Sequence, residues 1–315
     1  MDSGVKSNTD LIVCEDWDKI NAVDRMQAYI VSHIDEEITM QALSKAAGYS
    51  LWYSIRIFKE LLGKTPFDFI RAVRLTKAAE KLRDTNNSVL TVAMDAGFSS
   101  HDGFTRAFKR QFNITPQKYK DERPLAAYFT FTPIKFFYLY VKHRSVDEME
   151  ASKVSRTVTT TVVERPTRKL ILLRSINATN YFSFCEEVGC EWYGILSSVP
   201  EKLDSGALIT LPPALVKEGT SNIAGGIEVP YDYAKKLPDK FEIIDLPACK
   251  MMYFQGLPFE NEQDYSEAIS IVFEAISKYK PDAYGYSYAH DAAPHFNFGA
   301  STEMGAKMAV PVVSV

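Results

Sequence analysis

A short motif occurs twice in the first 123 residues, fifty positions apart, and it constrains the fold more than any other feature. Arg56-Ile-Phe58-Lys59 recurs as Arg106-Ala-Phe108-Lys109, and Gly63-Lys-Thr65-Pro66 recurs at the same offset as Asn113-Ile-Thr115-Pro116. Before each lies a glycine and an aromatic, Gly48-Tyr49 and Gly97-Phe98. Self-similarity on this scale marks a duplicated supersecondary unit. Each unit reads as helix-turn-helix. Met40 to Ala47 gives a short helix with Leu43 and Ala47 inward, and Gly48 stops it, since the sharp turn favours a left-handed residue without a Cβ. Ser50 is placed to cap a second helix running to about Leu62, with Leu51, Ile55, Phe58 and Leu62 at helical spacing. Trp52 and Tyr53 fall outside that stripe and are expected to be exposed. In the second unit Val89, Val92, Ala93 and Ala96 face inward, Gly97 turns the chain, and Ser99 or Ser100 caps a helix from His101 to Phe112. Pro66 and Pro116 suit the first turn of the next helix. Pro66 to Asp84, with Leu75, Ala78, Ala79 and Leu82 on one side, reads as a longer helix that separates the two units.

Charge points the same way. The 315 residues are 24% charged and 46% apolar, an ordinary globular balance with length for about two domains. The net charge of -4 averages unlike segments: residues 17–123 carry 17 Lys/Arg against 13 Asp/Glu, whereas 124–315 carry 18 against 23. The second helix of each pair is basic on one side, with Arg56 and Lys59 in the first and Arg106, Lys109 and Arg110 in the second. A recognition helix reads bases from its N-terminal part, where Trp52, Tyr53 and His101 lie. Met1 to Asp18 has no continuous apolar core for a signal peptide, and Phe129 to Val141 is too short to span a bilayer. Four cysteines without metal-ligand spacing suggest reduced thiols and a cytoplasmic location. His290, Asp291 and His295 flank a turn without further ligands, and no phosphate-binding loop, dinucleotide glycine pattern or nucleophile signature is present. The expectation is a protein without cofactor, metal or catalytic residues.

At this point the sequence resembles a known family. Gly97-Phe-Ser-Ser-x3-Phe104-x-Arg106-x-Phe108-Lys109-Arg110-x-Phe112-x2-Thr115-Pro116-x2-Tyr119-Lys120 is very similar to the signature of the AraC/XylS transcription regulators. Gly48-Tyr-Ser-x-Trp52-x3-Arg56-x-Phe58-Lys59 looks most like the branch of MarA, SoxS and Rob. The resemblance covers residues 17–123 and implies one monomer that inserts two recognition helices into successive major-groove segments of promoter DNA. It implies base contacts from Trp52 and Arg56, with Tyr53 beside them, and a second reading face of His101, Asp102, Thr105 and Arg106. Lys59, Lys109 and Arg110 would hold phosphates, which give affinity without sequence information. RNA polymerase is the further partner that the family implies. Three residues depart from its pattern: Ser54 and Ile55 invert the usual order of apolar and polar, and Gly103 replaces a larger residue.

A different repeat fills the rest of the chain, at an offset of 81. Glu164-Arg-Pro166-Thr-Arg-Lys169 matches Asp245-Leu-Pro247-Ala-Cys-Lys250, and Val229-Pro230 matches Val310-Pro311. Between these, Asn180, Phe184, Val188, Trp192 and Ile195 align with Asn261, Tyr265, Ile269, Phe273 and Ile276, one helical stripe written twice. Alternating runs around it read as strands. Two such halves resemble the GyrI-like effector-binding domain, which implies a groove between the halves and a small-molecule effector within it. Tyr284, Tyr286 and Tyr288 alternate on one expected strand and Phe296 and Phe298 on the next, the pattern either of a half-wet ligand wall or of an aromatic face packed on its own helix. Many relatives carry a carboxylate four residues before the last-strand proline; here that position is Lys307, its counterpart in the first half is Gly226, and Glu228 lies two residues on. This favours an anionic or neutral ligand over a cation unless Lys307 is a solvated strand end. The expected fold is therefore multidomain: an extension over 1–16, an all-α double helix-turn-helix domain over 17–123, a linker over 124–155, and an α+β GyrI-like domain over 156–315 with two β-α-β-β repeats. The expected function is ligand-modulated, sequence-specific transcription regulation, an activator by resemblance, without a membrane partner. A ligand-hydrolysing second domain and a ligand-free protein-interaction module are the alternatives.

Overall fold

The computed structural model describes residues 17–131, 133–135, 154–189, 191–260 and 264–315. The extension over 1–16, most of the expected linker and Asn261 lie outside the described residues. The chain divides into two compact units, the first comprising residues 1–120 and 131–150, the second 121–130 and 151–315. No helix among the described residues is long and apolar enough to cross a membrane.

Unit 1 is helical: α1 Trp17–Ser32, α2 Met40–Ala47, α3 Leu51–Leu62, α4 Pro66–Asp84, α5 Val89–Asp95, α6 His101–Phe112 and α7 Pro116–Glu122. The turns form for the expected reason: Gly48 and Gly97 sit at φ 75° and 79°, a conformation that costs an ordinary residue its Cβ clearance. Thr39, Thr65, Ser88 and Ser100 each accept a hydrogen bond from a backbone N–H of the helix they open, and so satisfy an orphan donor. Ser50 starts α3 without a side-chain cap. Leu75, Ala78, Ala79 and Leu82 of α4 are buried as their spacing predicts. Two arginines tie the first hairpin down. Arg25 donates to the carbonyls of Ala46 and Ala47 at the C-terminal end of α2, where cations suit the helix dipole, and Arg74 of α4 donates to Ile34 and Glu36. Gln111 of α6 donates to the Ala72 carbonyl of α4 at 3.1 Å.

Unit 2 is a nine-stranded antiparallel sheet with helices on one face: β1 Val158–Arg165, β2 Arg168–Arg174, α8 Tyr181–Val188, α9 Glu191–Ser197, β3 Ala207–Thr210, β4 Ile223–Pro230, β5 Glu242–Leu246, β6 Cys249–Gly256, α10 Tyr265–Lys278, β7 Tyr286–Tyr288, β8 His295–Ser301 and β9 Gly305–Ser314. The order is β1-β6-β9-β8-β3-β4-β2-β5, with β7 alongside β9. The first repeat thus has one strand more than the expected β-α-β-β outline and the second has two, and one strand of each is exchanged: β1 pairs with β6 of the second half and β5 with β2 of the first. The halves form one continuous sheet rather than two that meet. They join edge to edge through β3 and β8, where Leu208 pairs with Asn297.

Strand alternation sorts the side chains onto two faces. On the helix side, Ile171, Ile227 and Val229 pack on Phe184, Trp192 and Leu196, while Met252, Met308 and Val310 pack on Ala268 and Val272. On the other face Leu170, Leu172, Ile209, Ala224, Met251, Phe296 and Ala309 form a third cluster that spans both halves. The duplicated helical stripe is not duplicated in packing. Trp192 is buried, but its sequence mate Phe273 is 53% exposed, because α10 turns Ala268, Ile271 and Val272 inward. Part of the expected linker also belongs to unit 2: Ala126 N–H donates to Ser198 Oγ and Tyr128 is buried.

Candidate functional site

The two second helices of unit 1 present the same arrangement. On α3, Ser54, Ile57 and Phe58 are buried, while Trp52, Arg56 and Lys59 are exposed, Trp52 at 82%. On α6, Phe104 and Phe108 are buried, and His101, Asp102, Arg106, Lys109 and Arg110 are exposed. Among the described residues Lys59, Arg106 and Lys109 enter no ion pair or side-chain hydrogen bond. Arg56 lies over the Tyr53 ring at 4.9 Å, and Tyr53 packs on Tyr49 at 4.8 Å. Each helix thus offers bare cations along one exposed side and polar or aromatic groups at its N-terminal end.

A second polar site lies in unit 2, on the helix-free face. Arg168 is fully buried, and every arm of its guanidinium has a partner: Nε on Glu228 Oε1, Nη1 on the carbonyls of Pro166 and Pro247, and Nη2 on Cys249 Sγ. Arg165 Nε stands 3.5 Å from the other Glu228 oxygen. Beside this pair, Asp204 accepts from Lys307 Nζ at 2.7 and 2.9 Å, from Arg165 Nη2 at 3.1 Å and from Tyr253 Oη at 3.2 Å. Arg165 also donates to Tyr253 Oη. Lys307 Nζ lies 4.5 Å from the Phe298 ring centroid and 5.1 Å from that of Tyr253. Burial pushes the Tyr253 hydroxyl well above the usual tyrosine range, against the pull of Arg165.

Comparison with known proteins bears on unit 1. The family described as a helix-turn-helix domain matches residues 43–122. Regulatory protein SoxS of Escherichia coli (strain K12) is 41% identical over 93 residues, which cover 30% of this chain and 87% of SoxS. The chain belongs to the AraC-type family of helix-turn-helix transcription regulators. Transcriptional regulator Rob of Salmonella typhimurium is 33% identical over 118 residues, covering 38% of this chain and 41% of Rob. A solved structure of a probable AraC family transcriptional regulator from Rhodopseudomonas palustris is 29% identical, with a TM-score of 0.32, over 32% of this chain and 96% of that one.

Within this AraC-type regulator the structure redistributes several of the expected site residues. On α3 the inward face is Ser54, Ile57 and Phe58, not the stripe through Leu51, Ile55 and Leu62, which are half-buried. Ser54 tolerates burial because its hydroxyl donates to the Ser50 carbonyl at 2.9 Å. Tyr53 is half-buried under Arg56 rather than exposed. Thr105 Oγ1 is closed off from solvent and makes no hydrogen bond, so its hydroxyl does not join the exposed face of α6. Gly103 keeps the cap open: a Cβ there would stand 3.0 Å from Ser100 Oγ, the group that accepts the Gly103 N–H.

In unit 2 the aromatic wall divides. Tyr286 and Tyr288 pack on the helix side, where Tyr288 donates to the Ile276 carbonyl and burial pushes its hydroxyl up to about 12. Tyr284 precedes the strand, is 68% exposed and stacks on Tyr279. Only Phe296 and Phe298 share the face of Lys307, because β7 and β8 do not pair with each other but lie end to end along β9. Glu228 is 4% exposed and held by two arginines, so it does not project toward a ligand. The counterpart of Lys307 is Ala224, not Gly226, since Gln255 pairs with Lys307 as Arg174 pairs with Ala224; the closing strands have slid by two residues between the halves. Asp204, Arg165, Arg168 and Tyr253 were absent from the expected site. The available signal was Arg168 itself, which falls in phase with the inward Leu170 and Leu172 and demands a carboxylate.

Proposed function

We propose that this AraC-type regulator reads one promoter site with both recognition helices and that a small molecule bound in unit 2 sets its activity. The observation that carries the first half is the pair of repeated helices, α3 and α6, each with bare cations on its exposed side. In this reading Trp52, Arg56, His101, Asp102 and Arg106 face base edges, and Lys59, Lys109 and Arg110 face phosphates. Asp102 is tolerated beside the backbone where it accepts from a cytosine amino group. Activation through RNA polymerase is the mode we assign by family. Selection of bound sequences from a random duplex pool by the full chain tests the reading. One asymmetric site with two fixed blocks about one helical turn apart is expected; recovery of unrelated fragments would overturn it.

For unit 2 we infer a GyrI-like sensor whose ligand meets the helix-free face around Lys307, Phe296 and Phe298. The internal repeat supports this, and so does a polar cluster whose charged members have uncharged counterparts in the repeat. Both carboxylates of that cluster are held by cations, which fits a sensor better than a hydrolase. The filled face favours a second reading, a module that only contacts another protein. Mass spectrometry of small molecules released from the purified full chain separates the two. A compound that recurs across preparations and alters promoter affinity supports the sensor; a chain whose promoter affinity no recovered compound alters supports the module.

A further inference from the structure

Symmetry makes the polar cluster of unit 2 conspicuous. Equivalent places in the two sets of ladders give each of its members a counterpart in the other half: Leu246 for Arg165, Cys249 for Arg168, Leu172 for Tyr253 and Ala224 for Lys307. The backbone is repeated, but the counterparts are uncharged, and one of them, Cys249, itself accepts from Arg168, while the cluster holds three cations and a tyrosine. Two carboxylates answer three cations, and they do so differently. Glu228 stands on β4, within the sheet, and serves Arg168 and Arg165. Asp204 stands in the connection between α9 and β3, outside any strand or helix, and is 15% exposed. Its side chain fills a socket of Lys307, Arg165 and Tyr253 with the Phe298 ring as one wall. The connection is otherwise held to the sheet by the Leu203 N–H on the Glu228 carbonyl at 2.9 Å.

We propose that this socket is a carboxylate-binding site and that Asp204 is its internal occupant, displaced when an anionic ligand with an apolar body binds. This deepens the sensor reading above and rests on it. The chemistry follows from the donors. An ammonium, a guanidinium arm and a phenol hydroxyl converge on two oxygens, the arrangement that charge-assisted hydrogen bonds to a carboxylate require. The Phe298 and Tyr253 rings, stacked 6.1 Å apart, offer an apolar surface beside it. A lipophilic cation finds Lys307 and Arg165 facing it. An anion competes with Asp204, so its apparent affinity is the intrinsic affinity multiplied by the fraction of molecules with the socket open. Displacement would release one of the ties on the connection around Asp204, which the Leu203 N–H and the Glu201–Lys235 ion pair also hold, a route by which binding is felt beyond the site.

The test uses the full chain with Asp204→Ala, and Asp204→Asn as a variant that keeps the side-chain shape. The probes are 4-phenylbutyrate, its neutral amide, 4-phenylbutylammonium, and acetate as the carboxylate alone. An occupant present nine tenths of the time implies that Asp204→Ala binds 4-phenylbutyrate about tenfold more tightly than wild type by calorimetry. Acetate is expected to raise the melting temperature of both variants and not that of wild type, and Asp204→Ala/Lys307→Ala is expected to lose both gains. No gain in either variant, an equal gain from the amide or the ammonium, or a gain that survives loss of Lys307 overturns the proposal. If the variants gain carboxylate binding while promoter affinity ignores every carboxylate, the socket stands and the sensor reading falls.

Discussion

The cations of the two units differ in company. On α3 and α6 they are exposed, and Lys59, Arg106 and Lys109 have no ion pair among the described residues. On the helix-free face of unit 2, Arg165, Arg168 and Lys307 are largely buried, and each has a carboxylate. Physical cost explains the contrast. A charge removed from water requires a partner, so buried cations are committed to groups within the fold. A charge left in water is stabilised there until an anion displaces the solvent and counterions, which is how a helix holds phosphates. Substitution is therefore expected to cost stability in unit 2 and affinity in unit 1.

Glu228→Ala should have the largest effect. It leaves Arg168 buried without its carboxylate and weakens the hold on Arg165, a loss of about 3–5 kcal/mol for a broken buried pair. Urea unfolding should register this as a lower midpoint, with promoter affinity unchanged under conditions where the variant is folded. A midpoint within error of wild type would mean that water already reaches the pair, and the contrast between the units would fail. Arg106→Ala comes next. It should reduce affinity for the selected site by about 1–3 kcal/mol, relax preference at one base pair and leave the unfolding midpoint in place. Equal losses on specific and random duplexes would move Arg106 to the phosphate group. Lys109→Ala should be smaller and of another kind: a uniform loss across sequences, with the slope of log affinity against log salt shallower by about 0.9.

The smallest effect should come from His295, which lies in unit 2 beside His290 with ring nitrogens 3.1 Å apart. Burial, with the nearby His290, holds its imidazole below the ordinary value of 6.5. A depressed histidine binds fewer protons folded than unfolded, so its contribution is full above pH 6.5 and is lost as pH falls through the folded value. His295→Gln should flatten stability between pH 7 and pH 5.5; an unchanged profile would assign that slope to other groups.

What could be read beforehand follows the range of the interactions. In unit 1 they are local: a glycine at φ 75°, a hydroxyl that caps the N–H three residues on, apolar residues at i, i+3 and i+4. Such signals lie within a few residues, so the helices and the exposed cations were legible. The failures there are rotations of less than one residue step about the helix: Ser54 and Ile57 inward instead of Ile55, and the hydroxyl of Thr105 shut off. In unit 2 the repeat was legible but its pairing was not. Nothing local tells that β1 should leave β2 and pair across about ninety residues with β6. The side on which Tyr286 and Tyr288 fall depends on their register against β9, and the face of α10 on packing that turns Phe273 out. Asp204 carries no sequence signal, since an aspartate in a loop is ordinary. Its role exists only where Lys307, Arg165 and Tyr253 meet.

Joint engagement of one duplex by α3 and α6 is what makes the two helix-turn-helix units one reader. The direct measurement is the affinity of the full chain for its selected site and for versions with 5 or 10 bp inserted between the two blocks. Five base pairs turn the second block to the opposite face of the helix, and α4 holds the two recognition helices at one separation. Binding is expected to fall to the level of random duplex with 5 bp, and to remain there with 10 bp because one unit cannot span the added turn. Wild-type affinity for either inserted site would mean that the two helix-turn-helix units bind independently, and the joint reading would be contradicted.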